Sequence, residues 1–471
     1  MDTTENKTRQ VDIIPFRDAL GVWIRVALLS FGGPAGQIAV MHRILVEEKQ
    51  WIGEQRFLHA LNYCMLLPGP EAHELVIYIG WLLHRVKGGI AAGVLFVLPG
   101  LVSLSILSCV YFVFGHIGVV QACFFGLKAA VLAIVLDAVL RVGRRALKSK
   151  GLATIAALAF IGIFVFALPF PLIILAAGLA GFIGNMAGLH WFKTAAHDTS
   201  EADEQTAVVD RLFARGVQSH VRPSGWRFAY IICAGLIVWL GPLAALDLTL
   251  GPDNVFTSIA AFNSKMAVVT FGGAYAVLAY MAQQAVEYYH WLKPGEMLVG
   301  LGFAETTPGP LISVVQFVGF AAGYRRYGTL DPVVAGLLGG ALAMWSTFVP
   351  PFIWIFLGGP YIETLIGNKS LNAALSAITA AVVGVILNLT VWFFLHSIFG
   401  ELREVHRFGL SLAIPILTSI HWPTCVLALA AIVATFRFRT GMIPTFAACA
   451  FAGIVYYLAT TALGLGNFVQ L

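Results

Sequence analysis

The sequence predicts an all-α polytopic membrane protein: 12 to 14 transmembrane helices in two homologous, inverted repeats, several of them broken by Gly and Pro. Three observations carry that prediction. The first is composition: of 471 residues, 59% are hydrophobic and 11% charged, whereas a soluble domain has about 25% charged. The second is an internal repeat, in which residues 31–70 are answered without a gap by residues 271–310 at an offset of 240, with 13 of 40 positions identical. The third is that both copies keep Gly/Pro interruptions at matched places, Phe31-Gly32-Gly33 with Phe271-Gly272-Gly273 and Pro68-Gly69-Pro70 with Pro308-Gly309-Pro310. A break inside an apolar run frees backbone groups that lipid cannot satisfy, so it is tolerated where it faces protein or a watery cavity. Paired breaks in two halves point to the substrate site of a secondary transporter.

Crossing a bilayer takes about 20 apolar residues. By that ruler the spans are 20–41, broken at Gly32-Gly33-Pro34, then 57–83, broken at Pro68-Gly69-Pro70, then 88–114, 117–140, 152–168 and 169–189. Residues 193–227 are too charged to cross and read as a polar cytoplasmic linker, dividing a first repeat (1–192) from a second (228–471). A span at 228–246 follows, then 255–281, 295–323, 332–357 and 371–396, and the tail 408–471 has length for two or three more. A second match, Ala129 to Asp137 with Ala380 to Asn388 at an offset of 251, extends the repeat over at least four spans.

Lysine and arginine set the orientation. The cluster Arg141 to Lys150 and the linker arginines belong in the cytoplasm, which puts the N-terminus and the Arg85–Lys87 loop inside and the loop at 42–56 outside. Seven spans then separate the two repeat starts, an odd number, so the halves are inverted; if 228–246 does not cross, they are parallel.

The net charge of +5 is spread over short loops, which suits topology rather than nucleic-acid binding. The six cysteines lie scattered in apolar runs with no CxxC spacing. His73-Glu74 begins a zincin-like HELVI that lacks the second histidine. With no Walker loop and no dinucleotide fingerprint, the expectation is a protein that is not an enzyme and has no cofactor. The first 20 residues carry no apolar core of a secretory signal.

The runs FGGPAGQIAVMHR, WIGEQRFLHALNYCMLLPGPEA, IYIGWLLH, TFGGAYAVLAYMAQQAVE and GLGFAETTPGPLISVVQFVGF closely resemble the chromate ion transporter family in its two-domain long form, over roughly residues 15–400. The resemblance implies a carrier in the cytoplasmic (inner) membrane that exports chromate, a tetrahedral oxyanion close to sulfate, and so confers chromate resistance. Two positions depart from the family's pattern: His73-Glu74 after the first PGP, where uncharged polar residues are expected, and Val299, where an acid is expected.

A dianion needs donors and positive potential, and a helix N-terminus supplies both without a costly buried charge. Gly32, Gly33, Pro34, Pro68, Gly69 and Pro70 in the first half, and Gly272, Gly273, Pro308, Gly309 and Pro310 in the second, are therefore candidate substrate residues. The bland alternative for them is close helix packing and simple kinks. Gln37, Thr306 and Thr307 are candidate donors. Glu71 and Glu305 are acids beside the breaks, suited either to proton coupling or to capping a broken helix. Lys128 is an intramembrane cation and a candidate by default, against snorkelling to a span end. Chromate is the expected partner, with sulfate or protons as coupled or competing ions. The lipid bilayer surrounds the protein, and a homodimer is an open expectation. An anion channel and a chromate reductase stand as alternatives.

Overall fold

A computed structural model of the chain describes residues 14–188, 207–209, 225–271, 274–361, 369–407 and 410–463. Among them are sixteen helices and one two-stranded hairpin (Leu402–Arg407 with Leu410–Pro415). The protein is thus an all-α polytopic membrane protein. Most of the linker, and both Gly272 and Gly273, lie outside the described residues.

In the first half, α1 (Phe16–Leu29) stops at Ser30 and α2 (Gly33–His42) begins behind Gly32. Gly32 and Gly33 have φ of +81° and +73°, a left-handed pair that L side chains resist, which is why the break needs two glycines. A π-helical stretch, Arg43–Glu48, ends α2. Instead of continuing through the membrane the chain doubles back: Arg25 of α1 pairs with Glu48 (2.6 Å), and Trp23 lies edge-on to Trp51, 6.2 Å between centroids. Next come α3 (Glu54–Cys64), the Pro68-Gly69-Pro70 break, and α4 (Glu71–Phe114). Helical geometry is lost in α4 at His84 and Arg85 (φ +55°), where the helix reverses into two antiparallel arms, 71–83 and 86–114. The small residues Gly80 and Gly88 let the arms touch; a methyl on Gly80 would lie 2.6 Å from the Gly88 carbonyl oxygen.

The second half repeats this plan. Helix α9 (Val255–Val269) and α10 (Ala274–Gln283) flank the second break, a π stretch (Gln284–Tyr288) ends α10, and α11 (Glu296–Thr306) leads to Pro308-Gly309-Pro310. Then a short 3₁₀ turn opens α12 (Val315–Arg325), which packs antiparallel on α13 (Pro332–Gly358), whose N-terminus Asp331 caps by accepting from Val333 N and Val334 N. Gln50 and His290, 240 apart, both take positive φ, and Trp51 and Trp291 behind them are both buried.

The remaining helices form the frame. They are α5 (Gly118–Ala146), α6 (Lys150–Phe164), α7 (Phe170–Met186), the largely exposed α8 (Gly225–Leu250), α14 (Lys369–Ile398), α15 (Trp422–Arg437) and α16 (Met442–Ala462). Among the described residues six helices are long and apolar enough to cross a membrane: α4, α5, α8, α13, α14 and α16. The expected breaks in 20–41 and 57–83 are present, but the reading of these, 255–281 and 295–323 as single crossings is corrected here: each divides into two separate helices. At 1.5 Å per residue the 10 residues of α2 reach only about 15 Å.

Along the 86–114 arm, Phe96 faces His73 and Gly100 faces Gly309. Ser105 and Ser108 then hydrogen-bond Gln316, and Phe112 lies tilted against Tyr324. That arm therefore runs antiparallel to the 71–83 arm and parallel to α12. Helix α13 does the converse: Gly340 meets Gln316, Phe348 and Phe352 meet His73, and Gly359 meets Trp81. The 71–83 arm and α12 consequently leave the centre in opposite directions.

The linker's described residues correct one sequence expectation. Val208 N and Val209 N donate to Gln50 O (3.1 Å) and Trp51 O (2.9 Å), so the 42–56 loop and the linker share a face instead of lying on opposite ones.

Candidate functional site

The two halves meet through their breaks, and the contact is reciprocal. Gly69 N donates to Thr270 O (2.9 Å), while Gly309 N donates to Ser30 O (3.0 Å). These are the same bond twice, because 30 and 69 become 270 and 309 at the repeat offset of 240. Each glycine carries the positive φ that exposes its N–H across the junction, +156° at Gly69 and +123° at Gly309. Gln37, buried in α2, adds a third link by donating to Gly309 O at 2.7 Å. Orphaned break groups of one half are thus satisfied by those of the other, as buried backbone polar groups must be.

Beside this junction lies a cavity of about 210 Å³. Its wall includes Gly32, Pro34 and Ala35 at the start of α2, Met65 and Glu71 around the first PGP, Tyr275 from α10, and Arg141 and Arg145 from the last turns of α5. Pro34 at the start of α2 loses nothing by lacking an N–H there. Arg141 is half-buried and holds Asp137 one turn back in an ion pair. Arg145 is exposed, and Glu71 lies within its electrostatic reach. Tyr275 donates its hydroxyl to Glu305 Oε1 at 2.6 Å, and a methyl on Gly33 would lie 3.4 Å from that hydroxyl. Two guanidinium groups, a helix N-terminus and two carboxyls, one behind Tyr275, therefore converge on one space.

The predicted residues divide. Gly32, Pro34 and Glu71 line the cavity, with Gly33 next to it. Gln37, Pro68, Gly69, Pro70, Pro308, Gly309 and Pro310 belong to the junction between halves. Glu305 sits one side chain back. Thr306 and Thr307 spend their hydroxyl protons inside α11, Thr306 on Gly302 O (2.8 Å) and Thr307 on Phe303 O (2.8 Å). Lys128 lies elsewhere: its ammonium approaches Gly295 and Glu296 at the start of α11, the end away from the junction, where Arg325 clamps Glu296 at 2.6 and 2.8 Å.

Sequence reasoning missed Arg141 and Arg145, which it placed in a topology-setting loop. The helix runs on to Ala146. The signal that finds them is spacing: with Asp137 they recur every four residues, one stripe of a continuing helix.

Broken helices of two repeats meeting beside a half-enclosed cavity, inside a frame of membrane-length helices, define a transport protein. The chromate transporter family model matches residues 18–182 and 257–454, both repeats. A chromate transport protein of Pseudomonas aeruginosa is 31% identical over 376 residues, 78% of this chain and 79% of that one. A chromate transport protein of Cupriavidus metallidurans is 27% identical, with 80% and 82% covered, and a probable one of Synechococcus elongatus 25%, with 78% and 82%. The chain belongs to the chromate transporter family. No solved structure matches it.

Proposed function

We propose that this protein is a secondary active carrier of the cytoplasmic membrane that exports chromate and thereby confers chromate resistance. The observation that carries the reading is the placement of Arg141 and Arg145 against the N-terminus of α2 in one cavity beside the junction. A doubly charged tetrahedral oxyanion is bound there by the two guanidinium groups, which give directed hydrogen bonds to oxygen, and by the free N–H groups and positive end of the broken helix. Glu71 and Asp137 hold the arginines in place when the anion is absent.

The halves are read as inverted repeats, supported by the opposite directions in which the 71–83 arm and α12 leave the junction and by the reciprocal Gly69 and Gly309 hydrogen bonds. Rocking one half against the other about that junction exposes the cavity to either face in turn. The cavity adjoins the basic end of α5, where Arg144, Lys148 and Lys150 are exposed, which the positive-inside rule assigns to the cytoplasm. Anions are gathered on that side. An inside-negative potential then favours exit by about 2.3 kcal/mol per elementary charge per 100 mV, and about twice that for a dianion.

Uptake of labelled chromate into inside-out vesicles energised by respiration tests this, since their interiors become positive. Concentrative, saturable uptake that resists excess sulfate and is lost in a correctly inserted Arg141→Gln protein is the expected result. Uptake abolished by modest sulfate makes the protein a general oxyanion carrier; flux without saturation or trans-stimulation makes it a channel.

A further inference from the structure

The least accommodated polar groups of the described structure are His73 and Glu74, side by side in the first turn of α4. Both are 0% exposed, and neither carboxyl oxygen of Glu74 has a hydrogen-bond partner. Neither belongs to the anion cavity. His73 is enclosed by Phe96, Phe348 and Phe352, at 6.4, 5.1 and 5.3 Å between ring centroids. Glu74 lies directly behind the junction: one carboxyl oxygen is 2.5 Å, and the Pro351 ring 3.4 Å, from where a methyl on Gly69 would sit. The titratable groups facing it are Tyr63 and Cys64 of α3 and Glu71 of its own helix, while α13 places Phe348 and Phe352 against the neighbouring His73 and Pro351 against Gly69. Among the described residues, no cation faces it.

An unpaired buried carboxylate is strongly disfavoured, so the group is accommodated here only with a proton on it or a small cation against it. The fold does not demand the acid. At the repeat offset of 240, the second half has Ser313 and Val314 in place of His73 and Glu74, yet it builds the same junction. Gly69 is also the residue that bonds across to Thr270. The seal over Glu74 is therefore made of the contact that must change when the halves move.

We propose that Glu74 is a binding site for a monovalent cation, a proton in the first instance, loaded and released once in each transport cycle as the Gly69–Thr270 contact opens and reforms. His73, in its apolar cage, keeps other charge away from it. The assignment rests on the carrier reading above and gives that carrier its coupled ion.

The test uses the full chain in liposomes containing a pH-sensitive dye, comparing the native protein with Glu74→Gln, which keeps shape and removes the titrating proton. Two fluxes are read: chromate-for-chromate exchange, and net chromate movement driven by an imposed pH gradient. The expected result is exchange within about twofold of native in Glu74→Gln, with proton movement and the response to the pH gradient lost. A native response to a sodium gradient that vanishes in Glu74→Gln also supports the site and names sodium as its ion. Gradient-driven flux of native size in Glu74→Gln overturns the proposal. Should that variant fail to fold, Glu74→Asp decides: a displaced pH profile supports the site and an unchanged one overturns it. Failure of the native chain to exchange chromate or sulfate overturns the oxyanion reading instead. In that event the infrared band of a protonated carboxyl, present in the native protein and missing in Glu74→Gln, still supports the cation site, and its presence in both overturns it.

Discussion

The first and second breaks share a backbone and differ in what surrounds it. Both stop a helix, restart a helix that ends in a π stretch, and give one glycine N–H to the other half. Around the first break the frame helix α5 contributes Asp137, Arg141 and Arg145. In the second repeat, at the offset of 251, α14 has Asn388, Trp392 and His396. There Trp392 lies against His396 (4.1 Å between centroids) and donates its indole N–H to Glu287 at 3.3 Å. A repeated fold thus carries unequal side chains: the two breaks match in backbone, and only the first has guanidinium groups from its frame helix beside it, which is the basis of the anion site proposed above.

Exchanging or removing these side chains probes the comparison. The largest effect is expected for Arg141→Gln, which removes the half-buried guanidinium and leaves Asp137 unpaired: chromate exchange falls more than tenfold in liposome counterflow. Arg145→Gln falls less, about threefold, and its loss shrinks at high salt, because an exposed charge at a cavity mouth acts by attracting ions over distance. Trp392→Gln, at the matching position of the second repeat, changes exchange by less than about twofold; a tenfold loss there would erase the claimed asymmetry. The hinges themselves are compared by Gly69→Ala and Gly309→Ala. The added methyl meets the end of the Glu74 side chain and Pro351 in the first case, but the backbone of Gly100 at 3.2 Å in the second. Both strain a positive φ, at about 1–3 kcal/mol each, and Gly309→Ala is expected to lower the thermal unfolding midpoint further, since backbone cannot swing aside.

Much of this was legible in the residues. Gly32-Gly33-Pro34 and Pro68-Gly69-Pro70 announced the breaks, and their matched copies announced two halves. What the residues did not announce was direction after a break. An apolar run of 20 residues interrupted at its middle has the same hydropathy whether the second piece continues or folds back, and the fold-back at Gly32 is settled by distant partners such as Arg25 with Glu48. Two of the candidate residues, Thr306 and Thr307, are hydroxyls that the helix itself satisfies, a competition composition does not reveal. Arg141 and Arg145 were hidden for the opposite reason: basic residues beside a span are usually read as topology signals, and only the continuation of α5 sets them along the cavity.

The most direct test of the account is equilibrium binding of chromate to the purified protein by calorimetry, for the native chain, Arg141→Gln and Trp392→Gln. One saturable site is expected, weakened at least tenfold in Arg141→Gln, a change of about 1.4 kcal/mol or more, and unaltered in Trp392→Gln. Native affinity in Arg141→Gln, or equal weakening in both variants, would contradict an anion site built by α5 at the first break.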